Sequence, residues 1–172
     1  METQNKRIKY PYLPDDVSIE YVAETNVFMS AAKEQARKSN DQQQPAGSVI
    51  VENGVIVSGA ANKNPLTSER MIRLHKKYCI RHMLHIPSGE KYWLCPGCAT
   101  NSSHGESRAV LEIQKKGTHL TNPELYLWGH WWCCQPCWDK MLEVGIRKVF
   151  LLEDSEILFN ANNPKNILGR QF

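Results

Sequence analysis

Asn53-Gly54 stands between two β-branched runs, Ser48-Val-Ile-Val-Glu52 and Val55-Ile-Val-Ser-Gly-Ala60. A two-residue type I′ turn needs positive φ at both central positions, which Asn-Gly tolerates. The pattern predicts an antiparallel hairpin with strands at 48–52 and 55–60. Further along, helix and strand signals alternate. Glu106–Lys116 reads as a helix closed by Gly117, Leu125–Trp128 as a short buried strand, Pro136–Val144 as a helix ended by Gly145, and Arg147–Leu152 as a second buried strand. A hairpin followed by α, β, α, β predicts a three-layer α/β/α sandwich with a mixed sheet.

The rest of the chain is less regular. Residues 1–16 are polar and punctuated by Pro11 and Pro14, an irregular lead-in. Val17–Lys38 repeats apolar residues at mixed helical spacing and predicts a helix, with Asp15, Asp16 or Ser18 available as its cap. A polar break, Ser39–Pro45, follows. Residues 63–103 form an insertion with few apolar anchors; it holds a basic helix over Ser68–Leu84, then Pro87-Ser-Gly-Glu90, then Trp93-Leu-Cys-Pro-Gly-Cys98. At 172 residues the chain fits one domain, 1–172, carrying that insertion.

Six cysteines lie at 79, 95, 98, 133, 134 and 137. No stretch approaches the roughly 18 to 20 apolar residues of a membrane span, and the N-terminus lacks the apolar run of a signal peptide. The expected location is therefore cytoplasmic, where thiols stay reduced and Cys-x-x-Cys reads as metal-binding or catalytic. A net charge of +3 is too small to announce a nucleic-acid or membrane partner.

Two features fall at corresponding points of the alternation. His104-Gly105-Glu106 opens one helix, and Cys134-Gln-Pro-Cys137 opens the next, after a strand and its loop. One imidazole and two thiolates suit Zn²⁺ with a fourth position left for water. Thiolates also gain from the unpaired N–H groups and dipole of a helix start. Glu106 is too close to His104 for comfortable ligation of the same ion, yet it can lean over the open position. There a carboxylate can remove a proton from water and redeliver it, as base and then acid.

These motifs follow the pattern of zinc nucleobase deaminases, and over about residues 47–152 the chain resembles the cytidine and deoxycytidylate deaminase superfamily. The resemblance implies that His104, Cys134 and Cys137 hold a catalytic zinc and that Glu106 is the proton shuttle. It also implies that Asn62, at the end of the second strand, contacts the sugar. The implied reaction is hydrolytic deamination of a cytosine nucleotide or nucleoside, deoxycytidylate first, by a homo-oligomer. Deamination of a base in tRNA or single-stranded DNA is the alternative substrate class. The chain departs from the family in three places. Cys133 replaces the usual Pro, Trp128-Gly-His-Trp-Trp132 lengthens the approach to the cysteines, and Gly105 replaces the commoner Ala.

The insertion carries a second set of ligand types. Cys95-Pro-Gly-Cys98 is a compact knuckle, and Cys79 has His75 at i−4 and His82 at i+3. Cys79, Cys95, Cys98 and one histidine, His75 or His82, would close a structural zinc site. A rival joins the two Cys-x-x-Cys pairs into one zinc ribbon of a non-catalytic, nucleic-acid-binding module. Its 35 intervening residues exceed the 15–20 that ribbons use. Trp131 and Trp132 either stack on a base or pack their loop onto the core. Cys133 reads as a buried spare thiol or a competitor of Cys134 as ligand, with Cys134 preferred because only it gives the two-residue gap. The basic run Arg70–Arg81 reads as a solvated helix face, with contact to a substrate phosphate as the alternative.

Overall fold

A computed structural model describes residues 11–41, 44–86 and 90–172. Its elements, in chain order, are β1 (Ser18–Val22), α1 (Val27–Ala36), β2 (Gly47–Glu52), β3 (Val55–Ala61), α2 (Glu69–Lys77), α3 (Ile80–Met83), α4 (Gly105–Lys116), β4 (Glu124–Trp128), α5 (Gln135–Glu143), β5 (Lys148–Leu152) and α6 (Ser155–Leu158). The strands form one sheet in the order β1-β5-β4-β2-β3. β2 pairs antiparallel with both β3 and β4, while β4, β5 and β1 run parallel. The fold is α/β with a mixed sheet, and Asn53-Gly54 turns the hairpin with both residues at positive φ.

Strand alternation divides the core between two faces. Ile50, Leu125, Leu127, Val149 and Leu151 face α4 and α5, meeting Val110, Ile113, Trp138 and Met141. Val49, Val51, Tyr126, Trp128, Phe150 and Leu152 face the other way, against Met29, Ala32 and Ala36 of α1 and Phe159 after α6. α1 lies very close to the sheet: a Cβ on Gly47 would stand 2.2 Å from the Ala36 backbone nitrogen. Ile167 and Leu168 also pack on the α1 face, so the C-terminal segment covers that layer.

The helix expected over Val17–Lys38 is a correction. Its first part is the edge strand β1, paired with β5 from Ser18↔Lys148 to Val22↔Leu152. The helix begins only at Val27, and Asn26 caps it by accepting from the Phe28 and Met29 amides at 3.0 and 3.1 Å. Asp15, Asp16 and Ser18 therefore cap nothing there. A short edge strand with Tyr21 exposed lacks the continuous apolar run of its buried neighbours, so its few apolar residues read equally well at helical spacing. The expected Ser68–Leu84 helix is also broken. Tyr78 leaves helical geometry (φ −129°, ψ 43°), dividing it into α2 and α3. Residues 1–10 of the lead-in, residues 42–43 of the polar break and Pro87–Gly89 of the insertion lie outside the described residues.

Candidate metal and proton-transfer site

Gly47 pairs with Ala61 on one side and Trp128 on the other, so β3 and β4 end at the same edge of the sheet. The helices that follow them begin there too. His104 stands at the N-cap of α4 and Cys134 at the N-cap of α5, with Cys137 one turn further in. Pro136, near the start of α5, replaces an N–H that has no partner in the first turn. The parallel β4–α5–β5 crossover and the packing of α4 beside α5 thus bring together residues 30 and 33 positions apart.

The donor atoms form a tight triangle. His104 Nδ1 lies 3.6 Å from Cys134 Sγ and 3.4 Å from Cys137 Sγ, and the sulfurs are 3.3 Å apart. Bonds of about 2.0–2.3 Å to a shared tetrahedral centre would space such donors by about 3.5–3.8 Å. The observed edges are close to that, and one nitrogen with two sulfurs is a donor set that suits zinc. Both cysteines are buried. The hydrogen bond between the sulfurs pulls the Cys134 thiol down to about 5 against the opposing effect of burial, with further help from His104. The same bond, together with burial, pushes Cys137 well above its ordinary value. The two sulfurs thus hold one proton between them, which a cation displaces. Burial works against protonation of His104, yet its hydrogen bond to Cys134 and the charge of Glu106 raise it overall.

Glu106 sits in the first turn of α4, 5% exposed, and reaches the same cavity as His104 and Cys134. Burial pushes its carboxyl above the usual carboxylate range, with His104 opposing. The neighbouring Cys133 thiol is fully buried, favours the charged form of the carboxyl weakly, and is itself held far above its normal range, first by burial and then by the charge of Glu106. Cys133 is the buried spare thiol that the sequence suggests. The spacing motifs gave no sign of that contact, because residues 106 and 133 meet only through the packing of α4 on α5.

The cavity measures about 170 Å³ and is lined by Asn62, Glu106, His104, His130 and Trp132 on the sheet side and by His75, Arg81, Tyr92 and Cys98 on the insertion side. Asn62 is committed mostly to local structure. Its Oδ1 accepts from the Ala46 amide at 2.9 Å and from the Ser39 hydroxyl, while Nδ2 donates to the Gln44 carbonyl at 3.0 Å. Trp132 is buried in the cavity wall, whereas Trp131 packs against the core. The basic run is solvated along α2, which buries no residue. Arg81 is the exception. It is buried, stacks over Tyr92 at 4.1 Å and donates to the Glu90 carbonyl at 2.9 Å. Tyr92 in turn meets His104 edge-on at 5.6 Å.

The second set of ligand types also converges. Cys79 Sγ lies 4.0 Å from Cys95 Sγ and 3.5 Å from Cys98 Sγ, and Cys98 Sγ lies 3.5 Å from His75 Nε2. The break at Tyr78 sets Cys79 at the N-cap of α3, buried against the knuckle. Of the two histidines left open by the sequence, His75 joins the sulfurs; His82 lies outside the cluster. Burial pushes the Cys98 thiol up to about 12 and holds the His75 imidazole below its ordinary value. All six cysteines are free thiols, and the two Cys-x-x-Cys pairs fall in separate clusters, contrary to the single-ribbon reading.

A family model described as the cytidine and deoxycytidylate deaminase zinc-binding region matches residues 23–153. Among solved structures the chain is similar to dCMP deaminase from the cyanophage S-TIM5 in apo form, at 22% identity and a TM-score of 0.47, over 74% of this chain and 82% of that one. It is also similar to a diaminohydroxyphosphoribosylaminopyrimidine deaminase/5-amino-6-(5-phosphoribosylamino)uracil reductase from Thermotoga maritima, at 22% identity and a TM-score of 0.43, over 72% of this chain and 28% of that one. Guanine deaminase from Bacillus subtilis is 17% identical with a TM-score of 0.42, over 74% of this chain and 62% of that one. No curated protein matches. Among the described residues no helix is long and apolar enough to cross a membrane.

Proposed function

Because the chain belongs to the cytidine and deoxycytidylate deaminase family and is a zinc-dependent hydrolytic deaminase, we propose that its substrate is a cytosine nucleotide or nucleoside, with deoxycytidylate favoured. In this reading His104, Cys134 and Cys137 hold the catalytic zinc, and Glu106 carries the protons. The observation that supports it best is the buried Glu106 carboxyl in the same cavity as the three-donor triangle. The metal, when bound, supplies a Lewis acid that lowers the pKa of water toward about 7.

The residues of the chain do the remaining work. Glu106 accepts a proton from water and delivers it to N3 of the ring as the water oxygen bonds to C4. It then passes the second water proton to the amino group. The C4–N bond breaks, ammonia leaves and uracil remains. A carboxyl raised by burial suits both directions of transfer, since a pKa nearer the operating pH gives up and takes protons readily. Asn62 donates one amide hydrogen to Gln44 and, among the described residues, commits the other to no partner, so that it is available to a sugar hydroxyl at the cavity wall.

His75, Cys79, Cys95 and Cys98 form the second zinc site in this reading, and its role is structural: α2 buries no side chain, so the insertion has little else to close on. A free nucleotide suits a small cavity and a modest net charge better than a nucleic acid does. Ammonia release from cytosine, adenine and guanine nucleotides, nucleosides and bases tests the assignment. Deoxycytidylate should be turned over fastest; a protein inactive on every cytosine compound but active on another base would overturn it. Sedimentation velocity reads the self-association that the family resemblance implies.

A further inference from the structure

His130 lies in the lengthened loop after β4, outside the metal and proton machinery, and lines the same cavity as His104 and Glu106. The backbone N–H groups of Trp131 and Trp132 donate to its Nδ1 at 3.1 and 3.4 Å. A ring nitrogen that accepts such bonds carries no proton, so the neutral imidazole bears its hydrogen on Nε2. Burial pushes the ring down to about 3, so it is neutral at any working pH. It stands edge-on to Trp132, with centroids 5.0 Å apart at 83°. The two backbone bonds and this contact fix the ring's orientation. The two amides occupy Nδ1, which leaves Nε2–H as the ring's donor.

We propose that His130 is a substrate-binding, specificity-determining residue whose Nε2–H donates a hydrogen bond to a ring carbonyl oxygen of the base. The inference deepens the deaminase reading above and rests on it. A neutral donor suits a neutral acceptor. A phosphate placed on this wall would bring a second negative charge toward the buried Glu106, and phosphate recognition favours cationic donors. The cationic candidate, Arg81, lines the cavity from α3. Cytosine carries a carbonyl at C2 and guanine one at C6, whereas adenine has none. A buried donor left unpaired by adenine is costly, so His130 selects carbonyl-bearing bases.

The test uses the zinc-loaded full chain, with His130→Phe removing the donor and His130→Gln retaining an N–H. His130→Phe should lower kcat/KM on deoxycytidylate by roughly 10- to 100-fold, mainly through KM, with zinc content unchanged. His130→Gln should recover part of the loss. The wild type should also discriminate against the 2-thio analogue of deoxycytidylate, whose sulfur is a poor acceptor, and His130→Phe should lose that discrimination. A kcat/KM within twofold of wild type, or equal discrimination in both proteins, overturns the proposal. Should His130→Phe fail to fold, ¹⁵N spectra of the wild-type imidazole decide instead. Nε2 must carry the proton, and its resonance must move when deoxyuridylate, which keeps the C2 carbonyl, is added; a proton on Nδ1 or an unmoved resonance overturns it. A guanine-only enzyme would refute the cytosine reading alone, and the KM effect should then appear on guanine. An adenine-only enzyme would refute both.

Discussion

Glu106 and His130 show opposite uses of burial. For Glu106, removal from water raises a carboxyl that, in the proposed shuttle, both takes and gives a proton. Glu106→Gln keeps the side-chain volume and removes the titrating group. It should retain full zinc content by atomic spectroscopy while turnover falls by about 10²–10⁴-fold or more; near-wild-type ammonia release would contradict the shuttle role. For His130, burial first and the nearby His104 second lower the imidazole from 6.5 to about 3. The folded state then binds the proton less readily than the unfolded chain, so stability is lost as pH falls from about 6.5 toward 3. His130→Asn cannot titrate and lacks this loss. The stability difference between wild type and His130→Asn, from urea midpoints, should shift against the wild type between pH 7 and pH 5. A pH-independent difference would refute a half-buried, neutral His130.

The elements hold the site by close approach. Gly47 is where α1 meets the start of β2, and a Cβ there would overlap the Ala36 amide. That atom is backbone and cannot swing aside. Gly47→Ala should therefore cost about 1–3 kcal/mol in equilibrium unfolding, and it should disturb the edge where β3 and β4 end. An unchanged urea midpoint would mean that α1 packs less tightly than described. The insertion is held differently. Its buried cysteines and Arg81 do the closing that α2 and α3 do not, since Met71, Leu74, Ile80 and Met83 stay exposed. Cys79→Ser should reduce zinc from two per chain to one and expose residues 63–103 to proteolysis, with the catalytic metal retained. A protein that still binds two zinc ions would contradict the second site.

For the molecule as a whole, the two clusters share a cavity. His75 and Cys98 belong to one set of donors, His104 and Cys134 to the other, and all four line the same space. Arg81 over Tyr92, and Tyr92 against His104, join the insertion to the sheet edge. The insertion is thus one wall of the pocket rather than a distant appendage.

Much of this was legible in the chain. Asn53-Gly54 needed only its own dihedral preferences to announce a hairpin. Gly117 and Gly145 marked helix ends because they sit at positive φ just past them. The ligand types of both clusters were visible because metal chemistry restricts them to few residue kinds at short spacings. β1 escaped, since a half-exposed edge strand takes its identity from the partner it pairs with. The break at Tyr78, the choice of His75 over His82, the Cys133 contact to Glu106 and the pinned tautomer of His130 escaped for a related reason. Each depends on which distant atoms arrive nearby, and sequence periodicity describes only a residue's own neighbourhood. Local backbone preference and donor chemistry were therefore fixed along the chain; orientation, protonation and partnership were decided by packing.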